Sequence, residues 1–316
     1  GIILLLYWFL VRRQLKAPFG DVRSGLLVAI AEWAAKKVAR LGEPSKRVWR
    51  ANLMVPVEQV EELKGVYRLL RNVAYGRGSV KLLGLAEMGA GEELAQSLPA
   101  FGESLREEGV FTSSTVVEAG TFGENLMASL EAMSGTFFRP NILLMRMPES
   151  REREEELSMV IARAREKRVG VLLLAEHRKA GLGRESSINV WVDESGPDWE
   201  LSMELGCFNL AILIGYKLRE NWDGRLTLCA NVLEKEQHSR ASAFLEELRS
   251  AARMPDAEVF TGSGELSGAA ADAPGADLNV FPMRDDPDYT VLRKLVEECG
   301  SSCIFAMDSG SESALA

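Results

Sequence analysis

Histidine is nearly absent from this sequence: only His177 and His238 occur. That excludes a His-rich metal centre and leaves a Ser/His/Asp triad little to build on. The four cysteines, Cys207, Cys229, Cys299 and Cys303, are too few and too scattered for a disulfide scaffold. They fit a reducing compartment, where a free thiol packs as a small apolar group. No G-x-x-x-x-G-K-[S/T] phosphate loop is present. The charge-free opening Gly1–Val11 (GIILLLYWFLV) has 11 residues. A bilayer span needs about 20, and the run lacks the basic start and small-residue cleavage site of a secretion signal.

What is present suits a folded α/β protein. With 316 residues, 47% of them hydrophobic and 26% charged, the chain is long enough for about two domains and too apolar for general disorder. Its net charge of −9 hides a split. Residues 1–50 carry +7 and the remainder −16. A basic head on an acidic body points to a local anionic partner. Arg12, Arg13 and Lys16 follow the apolar opening directly, which reads as the last half of a transmembrane helix with Tyr7 and Trp8 near the interface. The three cations then face the anionic headgroups of the cytoplasmic leaflet. The rest is acidic, which speaks against nucleic acid.

Past the Pro18-Phe19-Gly20 break, residues 22–41 read as an amphipathic connector helix, with Leu26, Leu27, Ile30, Trp33, Ala34 and Val38 at three- and four-residue steps. Gly42 and Pro44 stop it. Apolar strands then alternate with helical stretches. The expected strands are 52–57, 80–85, a weak 115–117, 141–145, 169–174 and 188–192. The helices between them are 60–73, 92–107, 121–133 and 152–167. Near-continuous apolar strands separated by helices predict parallel β-α-β units. Beyond Ser195-Gly196-Pro197 the pattern predicts a strongly apolar helix over 201–218, strands at 225–232, 258–261, 278–281 and 303–307, and helices at 239–253 and 289–298. That order makes the tail a smaller β-α-β-β-α-β unit. The stretch 261–276 (TGSGELSGAAADAPGA) reads as a flexible surface loop by composition. The division expected is 1–11 as a membrane-helix end, 12–44 as junction and connector, and α/β subdomains at 45–195 and 196–316. The halves are similar in pattern, with no exact sequence repeat.

Little in the sequence carries chemistry. Gly89-Ala90-Gly91 lies between a strand and a helix, where helix N–H groups hold anions, but two glycines also make a plain turn. His177, beside Glu176, Arg178 and Lys179, has no nucleophile near it in sequence and reads as a loop histidine; His238 reads as a helix start. Cys299 and Cys303 read as core thiols at a helix end and a strand. The glutamates from 152 to 156 suit the positive end of a helix. No catalytic residue, metal ligand or cofactor-binding residue is expected.

One segment resembles a known family. Residues 12–26 read RRQLKAPFGDVRSGL, and Gly20, Asp21, Arg23 and Gly25 match the GDVRxG core that follows the last transmembrane helix of the cation-chloride cotransporters, of the amino acid–polyamine–cation superfamily. The resemblance continues at Trp49-Arg50-Ala51-Asn52-Leu53, at Arg139-Pro140-Asn141-Ile142-Leu143-Leu144 and at Asn189-Val190-Trp191-Val192 through Trp199-Glu200-Leu201. It reaches Trp222–Val232 and, in pattern only, 277–283 and 303–307. It implies the cytosolic carboxyl-terminal domain of a sodium/potassium/chloride-type carrier in the cell membrane. Such a domain is similar in fold to universal stress proteins, built of two subdomains with mainly parallel sheets flanked by helices. It acts as a dimerisation and regulatory module beside its own transmembrane domain. The long phosphorylated insertion of eukaryotic members is replaced by at most the short 261–276 stretch, and the DDGGL-type segment reads Asp193-Glu194-Ser195-Gly196-Pro197. The stress-protein nucleotide signature G-x2-G-x9-G-[S/T] has no match. Two other readings stay open: a nucleotide-sensing stress-type protein and the cytosolic domain of an amino-acid permease.

Overall fold

The computed structural model describes residues 22–39, 49–135, 139–192, 199–201 and 207–315. The chain divides into two compact units, Gly1–Ser45 and Lys46–Ala316. In the first, helix α1 spans Val22–Ala39. Arg12, Arg13, Lys16, Gly20 and Asp21 fall outside the described residues.

The second unit contains strands β1 (Asn52–Val57), β2 (Ser79–Ala86), β3 (Phe111–Glu118), β4 (Ile142–Arg146) and β5 (Gly170–Ala175). Between them run α2 (Glu61–Ala74), α3 (Glu92–Glu107), α4 (Phe122–Met133) and α5 (Arg151–Glu166). The second round comprises β6 (Ser187–Trp191), β7 (Arg225–Val232), β8 (Glu258–Ser263), β9 (Leu278–Pro282) and β10 (Ser302–Met307). Its helices are α6 (Asn209–Trp222), α7 (His238–Ala251), α8 (Leu266–Asp272) and α9 (Tyr289–Cys299).

All these strands form one sheet in the order β3-β2-β1-β4-β5-β10-β9-β6-β7-β8. The two halves repeat one winding, 3-2-1-4-5 and 8-7-6-9-10, and share a sheet. Neighbours are parallel except at the seam, where β5 and β10 pair antiparallel from Val171↔Met307 to Ala175↔Cys303. The α/β fold with a mostly parallel, helix-flanked sheet is therefore as expected. Its covering is also repeated. On one face α2, α3, α6 and α7 cover an apolar layer that includes Leu53, Leu82, Leu172, Val190 and Leu228. On the other, α4, α5, α8 and α9 cover Met54, Leu143, Leu173, Trp191 and Phe305. Equivalent helices meet across the seam: Asn221 Nδ2 of α6 donates to Asn72 O of α2 at 2.6 Å, and Arg293 of α9 pairs with Glu154 of α5 at 2.5 Å. An antiparallel seam between two like halves gives one chain the two-fold character of a dimer.

Helix starts follow local chemistry. Thr121 and Glu124 form a capping box on α4, Ser150 caps α5, and the Asp288 carboxylate accepts from the N–H groups of Thr290 and Val291 to cap α9.

Three expectations need correction. The 261–276 stretch is not a flexible loop: its start completes β8 and its middle forms α8. Alanine is the best helix former, and Ala269 and Ala270 are buried against the sheet and α9. With α8 present, a helix also separates β8 from β9, so the tail repeats the full winding and not β-α-β-β-α-β. Of the apolar helix expected over 201–218, residues 202–206 lie outside the described residues; the described helix begins at Asn209 and runs to Trp222, where Asp223 in the left-handed region ends it. Its start is set by Asp308, whose carboxylate accepts from Asn209 N at 3.0 Å and Leu210 N at 2.9 Å. Leu210, Ile212, Ile214 and Leu218 are buried within the chain.

Candidate functional site

Doubly wound sheets bind ligands beyond the strand carboxyl ends, where the strand order reverses. The first such crevice lies between β1 and β4. Here ion pairs bridge it. Arg153 Nη2, from α5, reaches Glu58 at the end of β1 at 2.9 Å, and its guanidinium lies 4.0 Å over the Phe122 ring. Arg146, at the end of β4, pairs with Glu176 and donates to Glu62 O at 2.9 Å. Burial, opposed by nearby Arg146, raises the Glu62 carboxyl above its ordinary value. The crevice rim thus holds matched charges of this chain's own. Residues 193–198, which follow β6 in the chain, are outside the described set.

Gly89-Ala90-Gly91 does form the β2–α3 turn, and an anion does sit there. It is Glu118, from the end of β3. Its Oε2 accepts from Gly89 N at 2.9 Å, and a Cβ on Gly91 would overlap the same carboxylate. An internal carboxylate thus occupies this turn. His177 is tied into its loop: its N–H donates to Ser302 Oγ at 2.9 Å and its Nδ1 accepts from Ala180 N at 3.1 Å. His238 Nε2 lies 3.1 Å from Thr261 O. No group of three or more potential metal ligands occurs among the described residues. Shallow surface grooves of about 550 and 480 Å³ lie one on α4 and α5, the other beside α2, α3 and Leu182.

Two clusters were not foreseen from the sequence. Asp277, just before β9, accepts from the N–H groups of Arg184, Ser186 and Ser187 and from both serine hydroxyls, at 2.8–3.1 Å. Gly183, at φ +60°, lies so close that a Cβ would overlap the carboxylate. The second cluster anchors the carboxyl-terminal segment. Asp308 holds the start of α6, Glu312 accepts from Ser309 N and Ser309 Oγ, and Asn209 Oδ1 accepts from Ala314 N. Burial, aided by the neighbouring Glu312 carboxylate, raises the Asp308 carboxyl to about 6 against the N–H donors that favour its charge. A folded-state value above the unfolded 3.8 means that folding binds the proton. Asp308 therefore adds stability that is full below the unfolded value and lost as the pH rises through about 6. We expect Asp308→Asn to flatten the pH dependence of urea unfolding between pH 4 and 7 by ~2 kcal/mol relative to the native chain. Identical slopes for both proteins would contradict this.

Helix α1 is the remaining feature. Leu26, Ile30 and Trp33 form a stripe exposed at 40%, 47% and 63%. The helix is not the one-sided amphipathic rod expected. Val28, on the opposite side, is 64% exposed, the Glu32–Lys36 ion pair at 2.6 Å lies between the two sides, and exposed Lys37 follows Trp33 on the stripe's own side. Exposed apolar side chains on more than one side of a helix call for a partner surface. Arg23 and Gly25 of the junction motif stand in its first turn. No described helix is long and apolar enough to cross a membrane.

Comparison with known proteins decides what this scaffold belongs to. Residues 55–182 and 183–315 match the first and second parts of the prokaryotic cation-chloride cotransporter C-terminal domain. The crystal structure of the cytoplasmic domain of a prokaryotic cation chloride cotransporter is 44% identical, with a TM-score of 0.77, covering 84% of this chain and 99% of that one. The chain belongs to the prokaryotic cation-chloride cotransporter C-terminal domain family. It is a cytoplasmic domain of a membrane cotransporter, and the family is not one of enzymes. The cotransporter domain shares its fold with a putative universal stress protein from Pseudomonas aeruginosa UCBPP-PA14 (12% identity, TM-score 0.53, covering 82% of this chain and 94% of that one). It likewise shares the fold of a universal stress protein from Archaeoglobus fulgidus DSM 4304 (12% identity, TM-score 0.54, covering 82% and 97%). A search of curated proteins finds no match.

Proposed function

We propose that this cotransporter domain holds two copies of the carrier together and biases the movement of their membrane helices, with α1 as the coupling element. The observation that carries this reading is the set of exposed apolar side chains on α1, Leu26, Leu27, Val28, Ile30 and Trp33. Its occupant in this reading is a second α1 together with the cotransporter's own transmembrane domain. Arg12, Arg13 and Lys16 engage anionic headgroups, adding about 1 kcal/mol each near the surface. The membrane part carries chloride with sodium, potassium or both, and this domain controls it. Control of that kind needs an element with two arrangements that the two parts favour differently, and α1 is that element here.

Sedimentation velocity of the chain at micromolar concentration tests the assembly. A dimer is expected, and Ile30→Glu with Trp33→Glu is expected to give monomer with unchanged far-ultraviolet circular dichroism. A native chain that stays monomeric across that range contradicts the reading. Charge reversal at Arg12, Arg13 and Lys16 is expected to abolish flotation with phosphatidylserine vesicles; undiminished flotation would remove the headgroup contact. The nucleotide-sensing alternative predicts ATP binding beside Gly89–Gly91, where Glu118 now sits.

A further inference from the structure

Helix α2 carries Lys64 and Arg68 at a spacing of one turn, which sets them on the same face. Both reach into solvent, with side chains 73% and 71% exposed. Each has an acid nearby, Glu61 and Glu185, but at 3.7 Å neither contact is a hydrogen bond. The two cations border the groove of about 480 Å³, a volume within the ~300–1,000 Å³ range of small-ligand sites. Gly65, between them, carries no side chain to fill it. One wall is aromatic. Tyr67 meets Phe101 of α3 edge-on, at 5.4 Å between centroids. The Tyr67 hydroxyl is engaged within the chain, donating to Glu108 Oε1 at 2.7 Å and lying 3.0 Å from Ser104 O.

The opposite wall is the loop between β5 and β6, which contributes Leu182 and Glu185. That loop is tied in place. Ser302 Oγ donates to Gly181 O at 2.5 Å, and Arg184 N donates to Asp277 Oδ1 at 3.0 Å. Glu185 sits in the left-handed region at φ +56°, where a glutamate is uncommon and must be held by its surroundings. Its carboxylate, 15% exposed, faces Arg68. Exposed Arg178, Lys179 and Arg184 stand on the same loop, in a chain whose residues 51–316 carry −16.

We propose that this groove binds a nucleoside monophosphate, with its phosphate on Lys64 and Arg68 and its base against Tyr67, Phe101 and Leu182. A phosphate monoester carries close to two negative charges at pH 7, which matches two cations one turn apart. A base offers a flat face that aromatic side chains cover. The basic loop draws an anion to this place on an otherwise acidic body. The engaged tyrosine and the tied loop leave little to order on binding. The site lies within one chain and does not depend on pairing through α1. Gly65 also adjoins Glu176: a Cβ there would lie 3.3 Å from Glu176 Oε1, and Glu176 pairs with Arg146 at the first crevice. An occupant of the groove thus lies beside the ion pairs of the crevice rim.

Isothermal titration calorimetry of the chain with AMP, GMP, CMP and UMP tests this. At least one mononucleotide is expected to bind with one site per chain, about tenfold or more tightly than inorganic phosphate or its own nucleoside. Lys64→Gln with Arg68→Gln is expected to weaken that binding about tenfold or more. Leu182→Glu, which puts a carboxylate in the place of the base, should do the same. The first variant changes exposed side chains only, and unchanged far-ultraviolet circular dichroism checks both. Arg151→Gln removes a cation of α5 that is 90% exposed and should leave binding as in the native chain. No heat from any of the four mononucleotides at millimolar concentration would overturn the proposal. So would phosphate binding as tightly as the nucleotide, or undiminished binding in either folded groove variant.

Discussion

Replacing Trp191 by alanine lowers the unfolding free energy of this domain by about 4 kcal/mol. Trp191 ends β6 and is 1% exposed. Its ring stacks on Phe281 at 5.4 Å between centroids, and Phe281 stacks on Phe305 at 5.7 Å. Phe260 meets it edge-on at 6.4 Å. The column therefore crosses β8, β6, β9 and the seam strand β10. Removing its central ring opens a cavity that four strands cannot close, and it orphans a polar chain. Trp191 Nε1 donates to Asn279 Oδ1 at 3.0 Å, and Asn279 Nδ2 donates to Ser301 Oγ at 2.9 Å. Trp191→Phe keeps most of the stack but leaves Asn279 Oδ1 unpaired, at a cost of about 1–2 kcal/mol. Urea denaturation of the two variants separates the ring from the hydrogen bond. A loss below ~1.5 kcal/mol for alanine would show that the column does not hold the second half together.

Asp277→Ala is the second large effect, at about 3 kcal/mol and a melting temperature lower by ~8 °C. One carboxylate here gathers the turn before β6 and fixes it to the start of β9. Truncation leaves three N–H donors and two hydroxyls without their acceptor. Burial raises the Asp277 carboxyl, but the donors from Arg184, Ser186 and Ser187 outweigh it and hold the group below 3.8. A depressed folded value adds stability above the unfolded value and loses it as the pH falls through the folded one. Hence the deficit of Asp277→Ala should be full at pH 7 and shrink on acidification below pH 3.8. Asp277→Asn retains one acceptor and should lose about half as much. Thermal melts at pH 7 that match the native chain would contradict the assignment.

Strands and helices with strong apolar periodicity were legible in the sequence. Helix α3 and strand β7 have the expected bounds, because Glu-rich first turns and alternating Leu226, Leu228 and Ala230 are local signals. Where burial is one-sided the signal weakens. Strand β3 has eight residues where only a short 115–117 run was expected, since an edge strand of Thr and Ser with an exposed Phe111 needs little apolar surface. The seam escaped reading for another reason. Pairing of Cys303 with Ala175 is decided across more than 100 residues, and nothing in either strand states its direction. Glu118, Asp277 and Asp308 were missed because their partners are backbone N–H groups, which no side-chain pattern marks. The family was legible through Trp191 and through a junction motif of which Arg23 and Gly25 fall within the described residues.

Transport by the carrier that bears this domain tests the account most directly. Uptake of rubidium or sodium into vesicles containing the full-length cotransporter is measured with and without chloride, for the native protein and for Ile30→Glu with Trp33→Glu. The account predicts chloride-dependent uptake that the two substitutions reduce about fivefold or more at equal protein, the lower end of ordinary coupling between sites. Uptake indifferent both to chloride and to the state of α1 would contradict it.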